Sequence, residues 1–337
     1  MARAARLPGF VNVHSHAFQR ALRGTAAGGD FWSWRETMLA LAERQTPSTV
    51  RELYARTYRE MRAAGYTAVG EFHYLGAETA HAAADAAEEA GIAFVCLFAA
   101  YARGGLERMR HPSVTAYLGE LEALRGRGIA VGVAPHSVRA CPRDWLEELG
   151  RYADREALPL HVHADEQPRE VDGCLAEHGL RPIELLAACG CLGERTVVVH
   201  ATHATGGELD LLRDAGAAIC ACPTTEADLG DGFLPVIRVR HRSIPLCIGS
   251  DSNVRIDPFE ELRELEGIGR RQSGVRGVFE TEELWAIGGA NGADALGLDR
   301  WEELDVDLDH PSLDGVDDGE VRAALVAGCG ADVVLDA

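Results

Sequence analysis

The 337-residue chain is 47% hydrophobic and carries a formal charge of −20, and its 33 basic residues are all arginine. That length admits two small domains or one large barrel, and no apolar run approaches a membrane span. The acidic balance argues against nucleic acid as a partner, and an anionic substrate would need local arginines. Met1 to Leu7 lacks an apolar segment long enough for a signal peptide, so the expectation is a cytoplasmic enzyme. Nine cysteines, an odd number set mostly in apolar runs, read as reduced core thiols rather than a disulfide framework.

In chain order, the apolar run Phe10 to Val13 ends in His14-Ser15-His16. Residues two apart on a strand share a face, so the two imidazoles can point at one ion. Alone, the pair is as readily two surface histidines. Phe31 to Arg44 and Ser48 to Ala64 read as helices, and Thr67 to Phe72 as a strand leading to His73 and Tyr74. Helices at Glu78 to Ala90, Val114 to Arg127 and Arg143 to Glu156 alternate with strands at Ile92 to Phe98, Ile129 to Val133 and Leu158 to His163. The alternation continues through helix Pro182 to Ala188, strand Thr196 to His200, helix Glu208 to Ala215, and strands Ala217 to Cys222 and Pro245 to Gly249. A last helix runs from Pro258 to about Arg271.

Eight strands alternating with helices predict a parallel sheet closed as a (β/α)8 TIM barrel over residues 8–298. A doubly wound open sheet is the alternative, but no Gly-rich dinucleotide fingerprint follows a strand. Residues 299–337 are rich in Asp, with short β-like runs at Ala323 to Val326 and Val333 to Leu335, and read as a tail or the remnant of a small second domain.

Working residues of such a barrel sit at the C-terminal ends of its strands. Those ends carry His14 and His16, Glu71 to Tyr74, His136 to Arg139, His161 to Glu166, His200 to His203, Thr225-Glu226 and Ser250-Asp251-Ser252, and hold 8 of the 13 histidines. His14, His16, a histidine of the fifth strand and Asp251 compose a three-nitrogen, one-carboxylate shell suited to a single catalytic Zn²⁺; Fe²⁺ or Mn²⁺ also suits these ligands. A bridging carbamylated lysine is excluded, because the chain has no lysine. Bound Zn²⁺ activates water, Glu166 can move its proton, and His200 can polarise the electrophile.

His14-Ser15-His16-Ala17-Phe18-Gln19-Arg20, Phe31 to Glu36, Ala68 to Tyr74, Ala134 to Arg139 and Thr225 to Gly232 resemble the N-formimino-L-glutamate deiminases, in the mononuclear deaminase branch of the amidohydrolase superfamily. The resemblance runs from about residue 8 to 298. It implies metal ligands His14, His16, His163 and Asp251, and proton transfer and polarisation by Glu166 and His200 with Asp251 assisting. It puts Gln19, Arg35, Tyr74, His136 and Arg139 around a small dianionic substrate. Arg35 and Arg139 can each offer a carboxylate a bidentate fork. The implied reaction gives N-formyl-L-glutamate and ammonia, as in histidine degradation, and the implied assembly is a homodimer.

The sequence departs from the family's pattern in four places. The N-terminal strands of the usual flanking β-sandwich are expected to be missing and its C-terminal part shortened. Asp165 stands where a small residue is usual, and Asn253 where histidine is usual. The competing readings are a deaminase of another amidine, guanidine or amino-heterocycle, and a non-catalytic metal-binding barrel.

Overall fold

The computed structural model describes residues 3–24 and 28–335. After a short strand β1 (Ala4–Pro8), the chain lays down β2 (Phe10–Ser15), β3 (Tyr66–His73), β4 (Ala93–Ala100), β5 (Val131–Pro135), β6 (Leu160–Ala164), β7 (Thr196–His200), β8 (Ala218–Ala221) and β9 (Leu246–Ile248). β2 to β9 pair in sequence order, every neighbour parallel. Every residue of β2, β3, β5, β6 and β7 is buried, as parallel strands covered on both faces must be.

The barrel closes at its C-terminal rim. Asp251 N donates to His14 O at 2.9 Å, His16 N donates to Asp251 O at 2.8 Å, and Ser15 bridges Asp251 in parallel register. Gly249 makes this approach possible, since a Cβ there would lie 2.7 Å from His14 O and 2.8 Å from His14 Cβ. The seam that shuts the barrel therefore also joins three sequence-predicted metal ligands, His14, His16 and Asp251.

Helices follow their local signals. Asp30 caps Phe31–Glu43, and Thr46 caps Pro47–Ala63 with Pro47 in the first turn. Further helices absent from the sequence reading are Pro168–His178, Pro223–Leu229, Val236–Arg240, Thr281–Gly288 and Ala290–Leu296.

Beyond the barrel two expectations are corrected. A strand does precede the barrel: β1 pairs antiparallel with β10 (Glu303–Asp307), Ala4 opposite Asp307 and Pro8 opposite Glu303. Ala323 to Val326 is not β-like but lies in helix Val321–Gly328, and Ala331–Val333 is a 3₁₀ turn, leaving only a Val334–Val306 bridge. That helix docks on the barrel's last helices, where Trp285 Nε1 donates to Arg322 O at 3.3 Å and Arg263 Nε to Val326 O at 3.0 Å.

Candidate active site

The β2 extension delivers His14 and His16, β6 delivers His163, and the turn after β9 delivers Asp251, all buried. The Nε2 atoms of His14 and His163 face each other at 3.1 Å, and Asp251 Oδ1 lies 3.6 Å from His14 Nε2 and 3.5 Å from His16 Nε2. His16 Nδ1 donates to Phe72 O at 2.9 Å and His163 Nδ1 to His136 O at 2.8 Å, a tautomer that turns bare Nε2 atoms inward. Burial pushes the pKa of His14, His16 and His163 below the ordinary histidine value, which favours neutral rings that could donate to an ion. Two inward lone pairs at 3.1 Å repel unless an electrophile lies between them. A tetrahedral ion with metal–nitrogen bonds of about 2.0–2.1 Å sets neighbouring donors about 3.3 Å apart, so the residues fit a divalent ion.

The backbone around the cluster is held in unusual conformations. Asp165, His200, Ala201, Asp251 and Asn253 all have positive φ, from 42° to 74°. Such residues at the ends of β6, β7 and β9 mark a shape enforced by the surrounding fold.

Beneath the ligands runs a buried polar chain. Ser15 Oγ donates to Glu71 Oε2 (2.9 Å), and Ala17 N donates to Glu71 Oε1 (2.9 Å). Asn253 Nδ2 donates to Ser15 Oγ (3.2 Å) and Asp251 O (2.8 Å), its Oδ1 accepts from Ser250 Oγ (2.7 Å), and Asn12 Nδ2 donates to Ser250 Oγ (2.6 Å). Asn253 is thus the knot between the two ligand-bearing segments. Burial pushes the Glu71 carboxyl up to about 8.

Above the ligands, Glu166 Oε1 and Asp251 Oδ2 each lie 3.7 Å from His200 Nε2. His200 Nδ1 donates to Glu226 Oε1 at 3.3 Å. Burial opposes charge on His200, but the Glu226 hydrogen bond and the Glu166 and Asp251 carboxylates hold its pKa well above the ordinary value. Gln19, Arg35, Tyr74, His136 and Arg139 line one cavity together with His16, His163, Glu166, His200 and Asp251. Gln19 Nε2 donates to Tyr74 Oη at 2.7 Å, and Gln19 Oε1 has no partner among the described residues. His14 lies just below this cavity, fully buried.

Arg139 is already engaged. Its Nη2 donates to Glu166 Oε2 at 3.2 Å, and its Nε lies 3.4 Å from Glu170 Oε1, while Glu170 Oε2 accepts from Glu166 N at 3.1 Å. Asp165 faces away from the ligands: Arg181 Nη2 donates to its Oδ1 at 3.0 Å and Arg181 Nε to Glu208 Oε2 at 2.6 Å. The unusual acid is therefore met by a cation. Glu71, Glu170, Glu226 and the ligand-locking role of Asn253 escaped sequence reasoning. For Glu170 the available signal was its place one helical turn after Glu166, in a segment that did not read as a helix.

An eight-stranded parallel barrel with a His-rich divalent-metal cluster at its C-terminal rim defines a metal-dependent hydrolase. Comparison with known proteins narrows this. Residues 6–306 match the amidohydrolase family. The chain is 37% identical over 329 residues to a formimidoylglutamate deiminase of Pseudomonas aeruginosa, covering 87% of this chain and 72% of that one. It is 30% identical to a 5-methylthioadenosine/S-adenosylhomocysteine deaminase of Halobacterium salinarum, covering 97% and 78%. A zinc-bound adenosine deaminase from Xanthomonas campestris superposes with a TM-score of 0.89 at 24% identity, covering 98% and 78%. The chain belongs to the amidohydrolase family. It is a hydrolase of carbon–nitrogen bonds with the chemistry of a deaminase.

Proposed function

We propose that this chain hydrolyses N-formimino-L-glutamate to N-formyl-L-glutamate and ammonia on one Zn²⁺ held by His14, His16, His163 and Asp251. The observation that carries the reading is the cavity that gathers Arg35, Arg139, Gln19, Tyr74 and His136 beside the ligand cluster. In a protein of charge −20, two arginines lining one small cavity suit a ligand with two carboxylates. The deiminase of Pseudomonas aeruginosa supports the same substrate.

When bound, the ion supplies a water whose pKa is lowered toward neutrality. Glu166 accepts the proton from that water as its oxygen bonds to the formimino carbon, and delivers it to the imino nitrogen. Breaking the C=N π bond leaves a tetrahedral carbon bearing hydroxyl and two nitrogens. His200, cationic and steered by Glu226, faces the developing oxygen. The hydroxyl proton passes by way of Asp251 to the amino nitrogen, the C–N bond breaks to release ammonia, and the carbonyl of the formyl product forms. Gln19 Oε1 offers an acceptor to a substrate N–H.

A second reading, deamination of an amino-heterocycle, is favoured by one observation: Arg139 already faces two carboxylates, Glu166 and Glu170, so its charge is partly spent. A panel of formiminoglutamate and 5-methylthioadenosine, assayed with wild type and Arg139→Met, separates the two. The proposal expects turnover of formiminoglutamate alone, lost in Arg139→Met. Turnover of the nucleoside that survives Arg139→Met would overturn it.

A further inference from the structure

A second group of donors lies beside the four ligands. His200, Cys222 and Asp251 bring ligand atoms within 4.8 Å of one another, all buried. Asp251 divides its carboxylate between the groups: Oδ1 faces His14 and His16, and Oδ2 lies 3.7 Å from His200 Nε2. Glu166 Oε1, also 3.7 Å from His200 Nε2, gives a fourth donor.

His200 is prepared as a ligand in the way metal-binding histidines usually are. Its Nδ1 is held by the Glu226 carboxylate, the carboxylate–histidine arrangement that turns Nε2 toward an ion. His200 Nε2 is buried, the side chain is 1% exposed, and the atom has no hydrogen-bond partner among the described residues. Glu226 Oε1 also accepts from Cys222 N at 2.9 Å, so one carboxylate fixes the positions of both His200 and Cys222.

From this geometry we infer a second, inhibitory site for a thiophilic divalent cation such as Zn²⁺, formed by His200 Nε2, Cys222 Sγ, Asp251 Oδ2 and Glu166 Oε1. The nitrogen, sulfur and oxygen set is one that zinc accepts, and the edges of a zinc tetrahedron run about 3.3–3.8 Å for Zn–N near 2.0–2.1 Å and Zn–S near 2.3 Å. Among His200, Cys222 and Asp251 the widest separation allowed, 4.8 Å, contracts by about 1 Å on binding. Asp251 then bridges two ions, as carboxylates do in two-metal sites whose ions stand roughly 3.5–4 Å apart. No lysine is involved. The Cys222 thiol proton and the His200 Nε2 proton are released to solvent as the bonds to the metal form, and these two deprotonations make this site the weaker of the two. An ion here occupies Glu166 and His200 and stops proton transfer. The inhibitory consequence rests on the catalytic roles proposed above; the binding itself does not.

The test starts from protein carrying one equivalent of Zn²⁺, titrated with Co²⁺ and, separately, with Zn²⁺. The expected result is uptake of a second equivalent with a thiolate-to-cobalt charge-transfer band in the near ultraviolet. Cys222→Ala and Cys222→Ser should both lose the band. They should also need at least tenfold more Zn²⁺ for half-inhibition, with turnover at one equivalent unchanged. No second equivalent, or a band and inhibition undiminished in both variants, would overturn the inference. The cobalt spectrum requires no substrate, so a wrong assignment of formiminoglutamate leaves this result readable.

Discussion

Replacing Asn253 tests how the polar chain under the ligands works. Asn253 makes three side-chain hydrogen bonds, to Ser15, Asp251 and Ser250, in a fully buried position. Each partner keeps another contact, so each lost bond costs about 1 kcal/mol rather than the full price of a stranded group. Asn253 also sits at φ 56°, where alanine is strained by about 1–2 kcal/mol and glycine is not. Asn253→Ala should therefore lose on the order of 4 kcal/mol by urea denaturation, and Asn253→Gly about 1 kcal/mol less. Both release Asp251 and the His14–His16 turn from each other. Metal affinity, measured by chelator competition, should fall roughly 10- to 100-fold, as for other groups that orient ligands. Wild-type metal affinity in both variants would refute the claim that this chain organises the site, whatever the stability change.

Glu166→Gln should lower turnover by roughly 10²- to 10⁴-fold while a metal assay still finds one ion per chain; loss of the ion would show Glu166 to be structural. Arg181→Met leaves Asp165 and Glu208 buried without their cation and should cost about 3–5 kcal/mol in urea; a cost below about 1 kcal/mol would contradict the pairing. Burial pushes His73 down to about 3 and His161 down to about 4, so both stay neutral in the fold while the unfolded chain protonates them below about 6.5. Stability is then full above that pH and falls as pH drops, by about 1.4 kcal/mol per unit for each histidine, until the folded values are reached. Stability measured in urea between pH 6.5 and 4.5 should fall in this way, and His161→Gln should reduce the slope by that residue's own share, about 1.4 kcal/mol per pH unit.

What the sequence disclosed follows from which signals are local. Alternating buried strands and the His14-Ser15-His16 turn are written in contiguous residues, and they led to the barrel and its ligands. β1 was not legible, because Ala4–Pro8 has no alternation of its own and becomes a strand only against Glu303–Asp307. The short apolar run Ala323 to Val326 read as β-like, yet the segment is helical and packs on the Pro258–Ser273 and Thr281–Gly288 helices. Short or polar helices such as Pro168–His178 lack the length for a clear apolar stripe, and Glu170 was missed with its helix. Glu71, Glu226 and Asn253 act through partners 26 to 238 residues away, so no spacing along the chain exposes them.

The central claim is metal-dependent deimination of a formimino carbon. Purified protein carrying one equivalent of zinc, incubated with N-formimino-L-glutamate, should release ammonia and N-formyl-L-glutamate in equal amounts. The activity should vanish with a chelator and return with zinc. A folded, zinc-loaded sample that releases no ammonia from this substrate would contradict the account.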